Sequence, residues 1–404
     1  MKYIINYITS FFILLFTIAS FNWFIDPFAM YWSPQVTHIN KIKSEAGKRT
    51  RISKAYRVNN IKPQVLIVGN SRVEMGLNPS NMHFAKRMVY NQGMPGAGIA
   101  MQIDYALDAI ANNEGIEELI VGVDFLDFLL SEKQIASFNP EFRDHHKPNY
   151  SFRLSSHNSD KASASFARLQ EKMAMIFSLD AFSASLATIF KQQAMVNSID
   201  QHGFNSALSY ISIMNTEGIK PLFKQKLHEI STRLTSKRWK IKARETFPYS
   251  PTFSHLGRLI RVAKQRNIKL TFFINPYHYS YLHTLADNEQ WQNFEIWKQT
   301  LVQYLNTIEK SGIALWDFSN TSEFVNESVP IVTPKKQMQW FWEPAHYRES
   351  LGNKMLVTLL NQTDNVLTNF GVQLHQNNIK EHLADDFRGL QQSAPQWEKL
   401  KQAL

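Results

Sequence analysis

Three stretches of the chain bring together residue types that could move an acyl group. The first is VLIVGNSRVEMG (65–76), where four apolar residues run into Gly69 and a lone serine, Ser71, follows with Arg72 beside it. The second is QWFWEPAHY (339–347), which holds Glu343 and His346 three positions apart. A serine hydroxyl becomes a nucleophile when an imidazole takes its proton and a carboxylate holds that imidazole in the required tautomer. Ser71, His346 and Glu343 could fill those roles. The third is VYNQGMPGAG (89–98), where Asn91, Gly93, Gly96 and Gly98 permit tight turns and close backbone approach to a ligand. The N–H groups of Gly93 and Ser71 are then natural donors to a developing oxyanion.

Each stretch also has a plainer reading. Serine is a common helix cap, a glycine-rich loop after a strand is a weak signal, and a Glu-x-x-His pair is often a local surface contact. A zinc site is the weakest alternative, because no second His lies one helical turn from the pair.

For these stretches to meet, the chain must fold them to one edge. The runs at 64–70, 88–91, 118–125, 269–275 and 313–318 are nearly continuous in Val, Ile, Leu and Phe, as expected of strands covered on both faces. Helical spacing at 98–113 and 253–267 separates them. The alternation predicts an α/β fold with an open, mainly parallel five-stranded sheet in a flavodoxin-like three-layer α/β/α arrangement. Such sheets bind ligands outside the carboxyl ends of their strands, and all three stretches point there. Glu343 and His346 are expected on the loop leading into a helix at 348–362.

The chain divides into an apolar segment (1–25), a basic connector (26–61), the α/β region (62–365) and a polar, helical tail (366–404). A long helical insertion occupies about 131–250. Tyr3 to Ile25 carries no charge, and 23 residues suffice to cross a bilayer core of about 30 Å as a helix. No good A-x-A site follows it, which favours an uncleaved anchor. Near-span charge favours an external body, whereas the basic cluster at 41–57 argues the other way. The net charge of +10 suits an anionic glycan, a membrane surface or nucleic acid. Nucleic acid is disfavoured, since no base-reading motif accompanies the charge. With no cysteine, disulfides and thiolate metal sites are excluded.

Together, Gly69-Asn70-Ser71, Gly93, and Glu343 with His346 resemble the blocks of the SGNH (GDSL-type) hydrolase superfamily. Pro344, Tyr347, Leu351 and Gly352 add to the likeness. The pattern is most similar to the membrane-anchored bacterial branch that O-acetylates alginate and other surface polysaccharides. The resemblance implies a Ser71–His346–Glu343 triad, an oxyanion hole from Ser71 and Gly93, and no metal or cofactor. It also implies a single-pass inner-membrane location with a periplasmic body, a cell-surface or exported glycan as acceptor, and a membrane-bound acyltransferase as partner. Two departures stand out: Glu343 replaces the family's Asp, and Asp124 stands where many members place a donating Asn. An ionised aspartate accepts hydrogen bonds and cannot donate one.

Arg72 is read as a brace for the active-site loop or an anchor for a substrate carboxylate. Tyr277 and His278, in the loop after the fourth strand, are read first as aromatic loop packing and second as sugar contacts; Asn91 and Asp124 are further substrate-binding candidates, and Asp317 is read as structural. Lys237, Arg238, Lys240, Lys242 and Arg244 around Trp239 form a solvated face or a docking surface for acidic groups. The competing functional class is a non-catalytic glycan-binding or assembly protein on a decayed hydrolase scaffold.

Overall fold

The structure, a computed structural model, describes residues 1–136, 161–235, 239–241, 252–308, 313–333, 335–360 and 370–404. Five strands run parallel: β1 (Val65–Val68), β2 (Val89–Asn91), β3 (Glu118–Val123), β6 (Lys269–Ile274) and β7 (Ala314–Asp317). Each lies within a run expected to be a strand. Two small antiparallel pairs stand apart, β4 (Leu130–Ser131) with β5 (Trp239–Lys240), and β8 (Phe341–Glu343) with β9 (His346–Tyr347). A sixth strand, β10 (Val372–Gln373), joins the main sheet antiparallel to β7, giving the order β10-β7-β6-β3-β1-β2. The sheet is therefore mixed and six-stranded rather than five-stranded. The extra strand comes from the polar tail, so that tail completes the sheet instead of trailing from it.

The helices are α1 (Lys2–Ile25), α2 (Thr50–Ile61), α3 (Ser71–Gly76), α4 (Ile99–Asn112), α5 (Glu132–Ala136), α6 (Lys161–Phe177), α7 (Leu179–Phe190), α8 (Leu208–Thr216), α9 (Lys220–Thr235), α10 (Thr252–Gln265), α11 (Tyr279–Asp287), α12 (Trp291–Ile308), α13 (Glu349–Leu359) and α14 (Ile379–Ala403). Strand residues alternate between two apolar clusters, which explains their unbroken hydrophobicity. Leu66, Val68, Leu119, Val121 and Phe272 join Ile103, Ile260 and Trp297 from α4, α10 and α12. Val65, Ile67, Ile120 and Phe273 join Val73, Leu351, Met355 and Trp397 from α3, α13 and α14.

Helix α1 is long and apolar enough to cross a membrane, and most of its length is exposed. Its last turns are tied to the body. Asn22 Nδ2 donates to the Ile176 carbonyl at 2.7 Å and Asn22 Oδ1 accepts from Ser185 Oγ at 2.9 Å. Asp26 ends the helix in the left-handed region. Its carboxylate accepts the Met30 and Trp32 N–H groups, and Lys43 Nζ donates to the Ile25 carbonyl at 2.7 Å. Of the basic run at 237–244, Lys240 and Trp239 lie in β5; Lys237, Arg238, Lys242 and Arg244 fall outside the described residues.

Candidate active site

The turn after β1 decides what Ser71 can do. Asn70 is the N-cap of α3, its Oδ1 accepting the Arg72 N–H at 3.0 Å. Ser71 is the first helical residue and has no capping duty. Its Oγ lies 2.8 Å from His346 Nε2.

Glu343 and His346 sit opposite each other in the β8–β9 hairpin, joined by Pro344 and Ala345, and not on a simple loop before α13. Glu343 Oε1 contacts His346 Nδ1 and Oε2 accepts the Ala345 N–H at 3.0 Å. Burial alone would raise the Glu343 carboxyl, but His346 beside it and the Ala345 N–H hold it below its ordinary value. A carboxylate only accepts, so Nδ1 carries the imidazole proton and Nε2 is left to accept from Ser71. The extra methylene of Glu343 is taken up within the hairpin, where the same carboxylate also closes its turn.

The hairpin is held against α3 at near-minimal distance. A Cβ on Gly352, in α13, would fall 1.7 Å from the Gly76 carbonyl oxygen, and one on Gly76 would enter the Tyr347 ring. Glycine at 352 allows the backbone-on-backbone contact, and glycine at 76 leaves room for the Tyr347 ring. The Leu351-Gly352 pair after the histidine thus has a packing reason.

Asp124, at the end of β3, is an acceptor hub. It receives Arg72 Nη1 and Tyr277 OH on Oδ1, at 2.9 and 2.7 Å, and Asn70 Nδ2 and Asn275 Nδ2 on Oδ2. It therefore grips both neighbours of the nucleophile. Arg72 also donates from Nε to the Ala345 carbonyl at 2.8 Å and lies over the stacked rings of Tyr277 and Tyr281. Burial would lower the guanidinium pKa, but Asp124 outweighs it and the group is driven further up. These contacts make Arg72 a brace and engage both oxygens of Asp124 within the protein.

Several candidate ligand contacts also prove to be scaffolding. Tyr277 is fully buried, and burial followed by Asp124 pushes its phenol well above the usual range. His278 caps α11, bonding Ser280 through Nδ1 and the Glu327 carbonyl through Nε2 at 2.8 Å. Burial lowers it to about 4, so it is a neutral core residue. Asn91 donates to the Val73 and Leu77 carbonyls, both at 2.8 Å, and accepts the Gly93 N–H at 2.8 Å. That last bond corrects the oxyanion assignment: the Gly93 N–H is already committed to Asn91. Gly93 is needed instead for closeness, since a Cβ there would meet the Glu74 nitrogen at 2.6 Å. Its carbonyl accepts Lys54 Nζ at 2.5 Å, and Lys54 pairs with buried Glu74 at 2.8 Å.

Two contributors were not anticipated. Tyr210 of α8 stacks on Trp342 with centroids 5.5 Å apart and lies 6.3 Å from the His346 ring. Trp342 is next to Glu343 in sequence, but nothing in the insertion marked Tyr210. The second is a charged cluster at the end of β7. Lys298 Nζ lies 2.7 Å from both Asp317 Oδ2 and Asp386 Oδ2, and His382 bonds Asp317 at 2.8 Å. Asp317, His382 and Asp386 are close enough together to ligate one metal ion, but the Lys298 ammonium already supplies the positive charge there. Burial would raise Asp317, but Lys298 and His382 hold it well below its ordinary range.

The site can thus activate a serine and return its proton. No protein-family model and no curated protein sequence matches this chain.

Proposed function

We propose that the chain is a membrane-anchored serine acyl-transfer enzyme of SGNH type, an O-acetyltransferase or esterase acting outside the cytoplasm on cell-surface or exported polysaccharide. One observation carries this reading. Residues 275 positions apart bring Ser71 Oγ to 2.8 Å from His346 Nε2, with Glu343 on the far nitrogen. Ser71 Oγ attacks an ester carbonyl while His346 takes its proton. His346 then returns the proton to the leaving alcohol, and a glycan hydroxyl or water releases the acyl group by the reverse steps. The parallel strands, in the order β2-β1-β3-β6-β7, follow the 2-1-3-4-5 order of flavodoxin-like sheets and support that architecture. The apolar helix α1 supports single-pass anchoring; a bacterial inner membrane, a periplasmic body and an acyl-carrying membrane partner belong to the proposal through the family resemblance.

The test is labelling with a fluorophosphonate probe. Wild type should label and Ser71→Ala should not, with hydrolysis of an activated acetyl ester falling about 10³-fold or more. Acetyl transfer onto added polysaccharide then separates transferase from esterase. The non-catalytic glycan-binding reading draws on the committed Gly93 N–H. Unlabelled wild type with retained glycan binding would select it.

A further inference from the structure

We propose that α6 and α7 form a second membrane contact, a kinked helical pair lying along the bilayer surface beside α1 with its apolar face among the acyl chains. The proposal rests on α1 crossing the membrane and is independent of the catalytic reading.

The two helices carry matching stripes. On α6, Phe166, Leu169, Met173 and Phe177 recur at i, i+3, i+7 and i+11, all solvent-exposed. On α7, Leu179, Phe182, Leu186 and Phe190 repeat the same spacing, with Leu179 78% and Phe190 84% exposed. That spacing places each set on one face of its helix. So much contiguous apolar surface is unusual on a soluble body and marks an interaction site.

The opposite faces are held by the protein. Tyr56 OH donates to Glu171 and Tyr31 OH to the Lys172 carbonyl, each at 2.9 Å. Arg49 pairs with Asp180 at 2.9 Å and Lys191 with Glu45 at 2.7 Å. Polar bonds on one side and bare aromatic and aliphatic residues on the other describe a helix that lies on a bilayer.

Continuity with α1 identifies the occupant. Phe182 packs on Phe21 of α1 with centroids 5.6 Å apart, and Asn22 bonds both helices of the pair. The stripes therefore extend the lipid-facing surface of α1. The bend between the helices is 54°. The pair Arg168–Phe177 and Leu179–Phe190 is together long and apolar enough for one broken span, but its polar side is bonded to Tyr31, Arg49 and Tyr56 of the connector. The kinked pair is therefore placed on the membrane rather than across it.

The chain has no cysteine, so single cysteines can carry an environment-sensitive fluorophore without background. Full-length protein, labelled at position 12, 179, 190 or 332, is reconstituted into phosphatidylcholine–phosphatidylglycerol vesicles containing acyl-chain nitroxide quenchers. Position 332 is an exposed control distant in sequence from these helices. Loss of fluorescence at 12, 179 and 190, with 332 unchanged, is the expected result. Quenching at 12 but not at 179 or 190 overturns the proposal, leaves α1 as the anchor, and means that another protein or water faces the stripes. No quenching at 12 overturns the membrane reading of α1 itself. Position 190 quenched only in vesicles carrying phosphatidylglycerol would also overturn it, because the apolar stripes require no anionic lipid.

Discussion

Arg72 Nη1 sits 2.9 Å from Asp124 Oδ1 while Arg72 Nε donates to the carbonyl of Ala345, the residue before the candidate base. One side chain thus couples the nucleophile's turn, the end of β3 and the His346 hairpin. Arg72→Lys should keep the charge but lose this two-point geometry. Ester hydrolysis should fall more than about tenfold, with KM little changed. Arg72→Met leaves Asp124 without its buried cation and should lower stability by about 3–5 kcal/mol, read by chemical denaturation.

Glu343→Gln preserves shape but leaves one accepting oxygen where two are needed, so the His346 Nδ1–H and the Ala345 N–H cannot both be accepted. Its rate should fall about 10²- to 10⁴-fold. Glu343→Asp shortens the reach by one methylene and should retain more activity than the Gln variant. Steady-state rates of the two variants, with melting curves to show intact folding, check this.

Asp127 supplies a pH test. Burial, followed by repulsion from Asp124, raises its carboxyl to about 7, and its Oδ2 has no hydrogen-bond partner. A carboxyl raised on folding favours the folded state while protonated. Its contribution is complete below 3.8 and is lost as the pH rises through about 7. Asp127→Asn removes that dependence. Its stability relative to wild type should improve between pH 4 and pH 8 by on the order of 1–3 kcal/mol, measured by denaturant titration at both values.

Lys298→Ala should convert a charged brace into a metal site. Without the ammonium, Asp317, His382 and Asp386 offer ligand atoms within 4.8 Å of one another. The variant should be destabilised by about 3–5 kcal/mol and partly rescued by Zn²⁺ or Mn²⁺ through mass action. Wild type should show no metal-dependent rise in Tm.

How far the sequence reveals this molecule depends on whether a signal is local. All five runs read as buried strands form the parallel part of the sheet, because burial on both faces leaves unbroken apolar residues. β10 was not legible: two residues at a sheet edge carry no pattern, and pairing with Asp317 and Trp316 defines them. Ser71, Glu343 and His346 could be singled out because triad chemistry restricts residue type, and the fold brings their side chains together. For Asn91, Tyr277 and His278 the sequence leaves ligand contact and packing both open, because a polar side chain after a strand looks alike whether it faces ligand or core; all three are buried. His382 and Asp386 lie in a helix of ordinary polar composition, and only the fold brings them to Lys298.

The contact between Gly76 and Gly352 leaves the spacing of α3 and α13 adjustable in one direction only. Two backbones already touching cannot be drawn nearer by any exchange of side chain, whereas a methyl on Gly352 would drive them apart. A methyl on Gly76 would instead meet the Tyr347 ring. The spacing has a hard stop on its short side and none on its long one.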